Sequence, residues 1–256
     1  MEKIAKYSDE YGIDTIIEIG PGKCALTRKL IQLGKKVILF EKDLDLCDLI
    51  ESVVEESGTD IIRGDVLEQE PIALLKKSGL EPGKTIVAGN LPYYITSPIL
   101  TKFFGGESPA FDVGIFMVQK EVADKIKHDA EKKSFLWRLL NYNFDVLYLK
   151  TVPAKAFSPR PKVQSSIISL IRKKQTPGCS YPQMRTLLER ISMYKRKTLS
   201  KSRKMAQKDR LLKPESVSKD QLMLGDYSYT LPEELKKKRI EEVSWEEMDL
   251  ICRAKL

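Results

Sequence analysis

Short apolar runs alternate with amphipathic stretches along most of this chain. The runs at Thr15–Ile19, Lys36–Phe40, Asp60–Arg63, Thr85–Ala88, Val113–Val118, Asp145–Leu149 and Ser165–Ile171 predict strands. Helical spacing of apolar positions falls between them, near Ala25–Leu33, Leu44–Glu55, Ile72–Lys77, Pro98–Phe103, Glu121–Ala130 and Phe135–Tyr142. Strand, helix, strand repetition argues for an α/β fold, a largely parallel sheet with helices on both faces. Ligands in such sheets bind at the carboxyl ends of the strands.

The pattern changes after residue 172. Lys173–Pro182 carries Pro177, Gly178 and Pro182 and predicts a linker. Leu187, Leu188 and Ile191, followed by Tyr194-Lys195-Arg196-Lys197-Thr198-Leu199, predict helices with a basic face. Lys208–Gly225 is polar and expected to be loop-rich. Ser244 and Glu247 form a capping box that opens a last helix. The expected organisation is therefore an α/β domain over residues 1–172 and a small helical domain over 173–256.

Charge sharpens that division. The chain of 256 residues carries 44 Lys+Arg against 36 Asp+Glu, net +8. Residues 173–256 hold 20 of these basic residues and 12 of the acidic ones, leaving 24 of each in residues 1–172. A neutral body with a basic appendage suits a polyanionic partner, although Lys-rich helices are also common solvated surfaces. No apolar run is long enough to span a bilayer, and no signal-peptide pattern opens the chain. Cys24, Cys47, Cys179 and Cys252 are scattered, and His128 is the single histidine. These features argue against a structural metal site and for a reduced, cytoplasmic chain.

Two loops carry candidate chemistry. Asn90-Leu91-Pro92-Tyr93 closes the apolar run from Thr85 to Gly89. The Asn90 side-chain oxygen and the Leu91 carbonyl can point at one exocyclic amine, with Pro92 fixing the backbone. Tyr93 offers a face on which a base can stack. Upstream, Glu18-Ile-Gly20-Pro-Gly22-Lys-Cys24 also follows an apolar run. Gly20 and Gly22 permit a tight turn and close backbone approach to a ligand. Glu41 ends the second predicted strand, where an acid can take ribose hydroxyls. Asp65 follows the third strand and can accept from an adenine amine or cap a helix. Together these suggest methyl transfer from S-adenosylmethionine to an adenine amine. The glycine loop taken alone also matches a dinucleotide fingerprint, Gly20-x-Gly22-x-x-Ala25 with a later acid. No hydride-transfer apparatus accompanies it.

The motifs, taken in order, resemble the rRNA adenine N6,N6-dimethyltransferases of the KsgA type. They are Glu18-Ile-Gly-Pro-Gly22, Gly64-Asp65, Asn90-Leu-Pro-Tyr93, Tyr94-Ile-Thr-Ser97-Pro98-Ile99, Phe116-Met-Val-Gln119-Lys-Glu121 and Val152-Pro-Ala-Lys-Ala-Phe157-Ser-Pro159-Arg-Pro161-Lys162-Val163-x-Ser165. The similarity spans residues 12–171 and, more weakly, 194–199 and 239–254. It implies a Rossmann-like methyltransferase domain with its last strand antiparallel, and a helical C-terminal domain that docks on small-subunit rRNA or a pre-30S particle. It implies a monomer that uses S-adenosylmethionine and no metal. Asn90 and Leu91 would hold the target amine, Tyr93 would stack on the adenine, and Phe157 would cover its other face. Glu18, Gly20, Gly22, Glu41, Asp65 and Asn90 would line the cofactor pocket. The basic cluster of Arg185, Arg190, Lys195, Arg196, Lys197, Lys201, Arg203 and Lys204 is expected to contact rRNA phosphates.

Three features depart from the family pattern. The Gly-Gln-Asn/His-Phe-Leu segment that usually opens it does not occur here. Cys24 stands where a third glycine is common. Lys132–Arg138 replaces the usual Tyr-Gly-x-Leu-Ser stretch. Two rivals to the housekeeping dimethyltransferase stay open at this point. One is an rRNA-binding assembly factor of the same fold with little turnover, and the other is a resistance-type methyltransferase of large-subunit rRNA.

Overall fold

The computed structural model of the chain describes residues 13–158, 160–202, 204–205 and 232–253. These described residues fall into two compact units, one within 13–130 and 139–174, the other within 131–138 and 175–253. The first is built on a seven-stranded sheet. Its strands are β1 (Thr15–Ile19), β2 (Lys36–Glu41), β3 (Asp60–Arg63), β4 (Thr85–Asn90), β5 (Val113–Gln119), β6 (Phe144–Val152) and β7 (Ser165–Arg172). Their spatial order is β3-β2-β1-β4-β5-β7-β6. The first five are parallel, β7 runs antiparallel to β5, and β6 runs antiparallel to β7.

The order reverses between β1 and β4, so the carboxyl ends of these two strands flank the switch point where α/β sheets bind ligands. Strands β1, β2 and β4 are buried over nearly their whole length, as a sheet covered on both faces requires. Ile16, Leu39, Ile86, Ala88, Ile115 and Ile167 share one core cluster with Leu30 and Ile50 from the helices. Glycine is needed at Gly114 for packing: a Cβ there would come within 2.5 Å of the Phe104 ring and 2.7 Å of Phe116.

The helices among the described residues include α1 (Thr27–Ile31), α2 (Leu44–Val54), α3 (Pro71–Lys77), α4 (Thr96–Phe104), α5 (Lys120–Ile126), α6 (Phe135–Asn143), α7 (Tyr181–Ile191) and α8 (Trp245–Arg253). Helix α1 is shorter than its apolar spacing predicts, because Gly22–Leu26 form turns with Cys24 at φ 60°. Helix α5 stops at Ile126 rather than Ala130. Lys127 is extended (ψ 151°), and the His128 amide donates to Val146 across to β6. The predicted linker also ends early, since α7 starts at Tyr181. The Ser180 hydroxyl accepts from the Gln183 amide there. The polar stretch 208–225 lies outside the described residues.

In the second unit, Trp137 and Trp245 stack at 5.6 Å between centroids. The Arg138 guanidinium lies 5.4 and 5.1 Å from these two rings. Arg138 is fully buried and donates to the carbonyls of Ile240 (3.2 Å) and Val243. Burial pushes its pKa down to about 9, against the opposing charge of Glu247. The Ser244–Glu247 capping box forms as predicted. The Ser244 amide donates to Glu247 Oε2 (2.9 Å), and the Glu247 amide to Ser244 Oγ (3.2 Å).

The expectation of a fully reduced chain is corrected here. Cys179 and Cys252 form a disulfide with Cα atoms 5.8 Å apart, although they lie 73 positions apart in the sequence. Spacing along the sequence concealed a pairing made by tertiary packing. Cys24 and Cys47 are free and buried. No described helix is long and apolar enough to cross a membrane.

Candidate active site

The carboxyl ends of β1, β2, β3 and β4 each end in one of the loops singled out in the sequence. After β1, the Gly20 amide donates to the Phe40 carbonyl (2.9 Å), and Gly20 and Gly22 have φ of 68° and 54°. An L side chain rarely adopts such angles, which explains the two glycines. Cys24 shares the left-handed conformation without being glycine. The usual preference for a third glycine at this position therefore has a backbone cause, and Cys24 holds the angle while burying its thiol.

Glu41 binds this bend to the end of β2. Its Oε2 accepts from the Gly22 amide (3.2 Å), and its Oε1 accepts from the amides of Lys42 (2.9 Å) and Asp43 (3.0 Å). A carboxylate has about four acceptor positions, so capacity for a ligand hydroxyl is left. Glu18, on β1, is 1% exposed, and its Oε2 has no hydrogen-bond partner. Burial pushes the Glu18 carboxyl up to about 7. The Thr27 hydroxyl, which makes no well-formed hydrogen bond, opposes this, and the charge of Glu41 adds to it. An orphaned carboxylate oxygen beside a backbone cradle fits the cationic end of a ligand, which would restore the charged form.

Asp65 follows β3 and caps a single 3-10 turn, Val66–Glu68. Its Oδ1 accepts from the Leu67 amide (2.8 Å) and its Oδ2 from Lys42 Nζ (2.8 Å). The Lys42 ammonium first, and the Leu67 amide second, hold its carboxyl below the usual carboxylate range. Of the two roles open to Asp65 in the sequence, the structure displays the cap. Lys42 had no signal beyond its place next to Glu41.

After β4, the chain is pinned where the sequence placed it. Asn90 pairs with Met117 in the ladder, and the Leu91 amide donates to the Met117 carbonyl (3.1 Å). The Pro92 carbonyl accepts from the Ile95 amide (3.2 Å) and the Thr96 hydroxyl (3.1 Å), closing the turn into α4. Leu91 is buried, so its side chain anchors the loop. Among the described residues, no protein donor reaches either the Asn90 carboxamide or the Leu91 carbonyl. Tyr93 is 36% exposed, and its hydroxyl lies 3.0 Å from Ser165 Oγ. Neighbouring Tyr94 is 83% exposed and went unassigned in the sequence.

The two loops approach each other because of Gly89. A Cβ on Gly89 would come 2.7 Å from the Ile19 carbonyl, and one on Gly20 would sit 4.0 Å from Pro92 Cδ. The bend after β1 and the turn after β4 are therefore in contact. Phe157 lies in the loop from Val152 to Ser165, whose two ends pair with each other in the β6–β7 ladder. It is half-buried and packs against the main core cluster. Among the described residues, its ring makes no stacked pair with Tyr93.

The basic cluster falls in the second unit. Arg185 pairs with Glu189 along α7 (2.7 Å). Lys195, Arg196, Lys197, Lys201 and Lys204 are exposed, and among the described residues no acid pairs with them. Arg203 and the side chain of Arg190 lie outside the description. A bridge from Thr198 to Arg239, with the Leu199 amide donating to the Lys238 carbonyl, sets a second basic run, Lys236–Arg239, beside the first. The sequence shows that run but not its neighbour.

Comparison with known proteins is consistent with this architecture. The model of the ribosomal RNA adenine dimethylase family matches residues 1–228. A ribosomal RNA small subunit methyltransferase A from Thermosynechococcus vestitus is 33% identical over 219 residues, 83% of this chain and 78% of that protein. Two solved structures share the fold. One is a dimethyladenosine transferase from Plasmodium falciparum (TM-score 0.72, 23% identity, 97% of this chain and 93% of that one). The other is the 23S rRNA methyltransferase ErmE (TM-score 0.69, 21% identity, 99% and 96%). Sheet order, glycine bend and the Asn90 turn thus define a Rossmann-like methyltransferase. Within that class, the chain belongs to the ribosomal RNA adenine dimethylase family.

Proposed function

We propose that this chain transfers methyl groups from S-adenosylmethionine to the N6 amine of adenosines in small-subunit rRNA, two per adenosine, as a step in ribosome assembly. The observation that carries this is the pair of uncommitted oxygens, the Asn90 carboxamide and the Leu91 carbonyl, held on a turn in contact with the Gly20 bend.

S-adenosylmethionine supplies, when bound, a methyl group on a cationic sulfur that is primed for in-line displacement. Glu18, Gly20, Gly22, Glu41, Asp65 and Asn90 would hold it. The orphaned Oε2 of Glu18 would face its cationic end, and Glu41 its ribose. An adenine amine is a poor nucleophile because its lone pair is shared with the ring. Asn90 Oδ1 and the Leu91 carbonyl accept the two amine hydrogens and draw the nitrogen toward tetrahedral geometry. They also stabilise the positive charge that grows on it, without reorganising, since the backbone at Leu91 is already tied to Met117. Tyr93 stacks on the base and Phe157 covers its other face. Stacking at about 1–3 kcal/mol per base offsets the few kcal/mol needed to extrude it. The methylated aminium is acidic and loses its proton to water, so no strong base is needed.

The C-terminal unit acts as the rRNA-binding domain. The exposed cations from Lys195 to Lys204, with Arg185, Arg190 and Arg203, contact phosphates, giving affinity that falls with salt. The chain works as a monomer on a pre-30S particle in the cytoplasm. The buried Cys179–Cys252 pair is shielded there from attack by free thiols.

The test is mass spectrometry of rRNA after incubation with S-adenosylmethionine and either 30S particles or naked large-subunit RNA. Dimethyladenosine in the 30S rRNA alone is expected. Methylation of the large-subunit RNA instead would assign the resistance-type activity. No methyl gain on either RNA, with 30S binding intact, would assign an assembly factor without turnover.

A further inference from the structure

We propose that Ser165 is a positioning residue for methyl transfer, its buried hydroxyl fixing the tilt of the Tyr93 ring on which the target adenine stacks. This rests on the function proposed above and adds a residue to the same site.

Tyr93 sits on a turn outside any helix or strand, and its ring is more than one-third exposed. Such a side chain loses rotamer freedom when a base stacks on it, and that loss opposes binding unless the ring is already held. The single hydrogen bond to its side chain among the described residues is the one to Ser165, at 3.0 Å. The phenol oxygen lies at the far end of the ring from the backbone. A tether there fixes the ring plane as the backbone attachment cannot.

Ser165 is well placed to serve as a fixed point. It is 1% exposed and is the first residue of β7. It is paired on one side with Gln119 of β5 and on the other with Val152 of β6. Both neighbouring strands hold it, whereas nothing comparable holds Tyr93. Mere satisfaction of a buried hydroxyl does not explain the contact. Ser169, four residues along the same strand, is equally buried and its hydroxyl has no partner. Stability therefore does not require every serine of β7 to be paired.

The experiment compares Ser165→Ala, Ser165→Thr, Tyr93→Phe and the Ser165→Ala/Tyr93→Phe double variant, as full chains with 30S particles and S-adenosylmethionine. One neutral hydrogen bond corresponds to a roughly three- to tenfold change. Ser165→Ala is expected to lower kcat by that factor with cofactor KM unchanged, and Ser165→Thr to restore it within about twofold. Tyr93→Phe should match Ser165→Ala, and the double variant should lose no more than either. Ring resonances of 13C-labelled tyrosine, with Tyr93 assigned through Tyr93→Phe, should broaden or shift in Ser165→Ala and return in Ser165→Thr. Wild-type kcat in Ser165→Ala, or losses that multiply in the double variant, would overturn the proposal. So would Tyr93 resonances indifferent to Ser165. If the wild-type chain transfers no methyl, the proposed function fails, and the resonances still decide the tether.

Discussion

The buried Glu18 carboxyl yields a prediction whose sign is unambiguous. Its pKa rises from 4.5 to about 7 on folding, chiefly because burial penalises the charged form. The folded state thus binds a proton that the unfolded state releases earlier. The associated stability is complete below pH 4.5, declines as pH rises, and is gone above pH 7. At about 1.4 kcal/mol for each pH unit, the penalty carried by the ligand-free protein at pH 8.5 is ~3 kcal/mol. Glu18→Gln removes the titration and keeps the shape. It leaves a constant offset from burying an amide, so the informative quantity is the change with pH, in which the other acids cancel. Urea unfolding without cofactor at pH 4.5, 6, 7 and 8.5 should show the variant gaining on the wild type by ~3 kcal/mol across that range. The same variant should bind S-adenosylmethionine more weakly, because the acid that destabilises the empty site is the one offered to the ligand's cation. Parallel pH profiles for the two proteins would refute the reasoning.

Two further substitutions probe the frame and the RNA surface. Gly89→Ala places a methyl 2.7 Å from the Ile19 carbonyl, so the β1 and β4 ends must separate. The expected result is a loss of about 1–3 kcal/mol in chemical denaturation together with a lowered kcat. Lys195→Gln/Arg196→Gln/Lys197→Gln removes three exposed cations without touching the catalytic unit. It should weaken 30S binding at low salt and flatten the plot of log affinity against log salt by about 2–3, with cofactor affinity unchanged by calorimetry.

Much of the sheet was legible because each strand is an apolar run stopped by glycine, proline or charge. Thr15–Ile19 and Asp60–Arg63 fall where that rule puts them. The rule under-reads strands that end in polar residues. Gly89 and Asn90 carry no apolar signal, yet the ladder to Met117 continues through them. It also under-reads β6, where a register shift between Tyr148 and Lys150 breaks the alternation. The two candidate loops were legible as turn chemistry after strands. Their contact was not, since it depends on the missing side chain of Gly89 meeting a carbonyl far away in sequence. The Tyr93–Ser165 bond was hidden for the same reason, its partners lying 72 positions apart. The grouping of 131–138 with the C-terminal unit was also illegible. Arg138 looks like a surface charge on an amphipathic helix until Trp137 and Trp245 enclose it.

The central claim is that the oxygens of Asn90 and Leu91 activate the target amine. The most direct measurement compares single-turnover methyl transfer to 30S particles by the wild type and Asn90→Ala, with S-adenosylmethionine affinity and thermal unfolding recorded alongside. Loss of one such acceptor predicts a rate lower by about 10²–10³ with the fold intact. Equal rates in the two proteins would contradict the account.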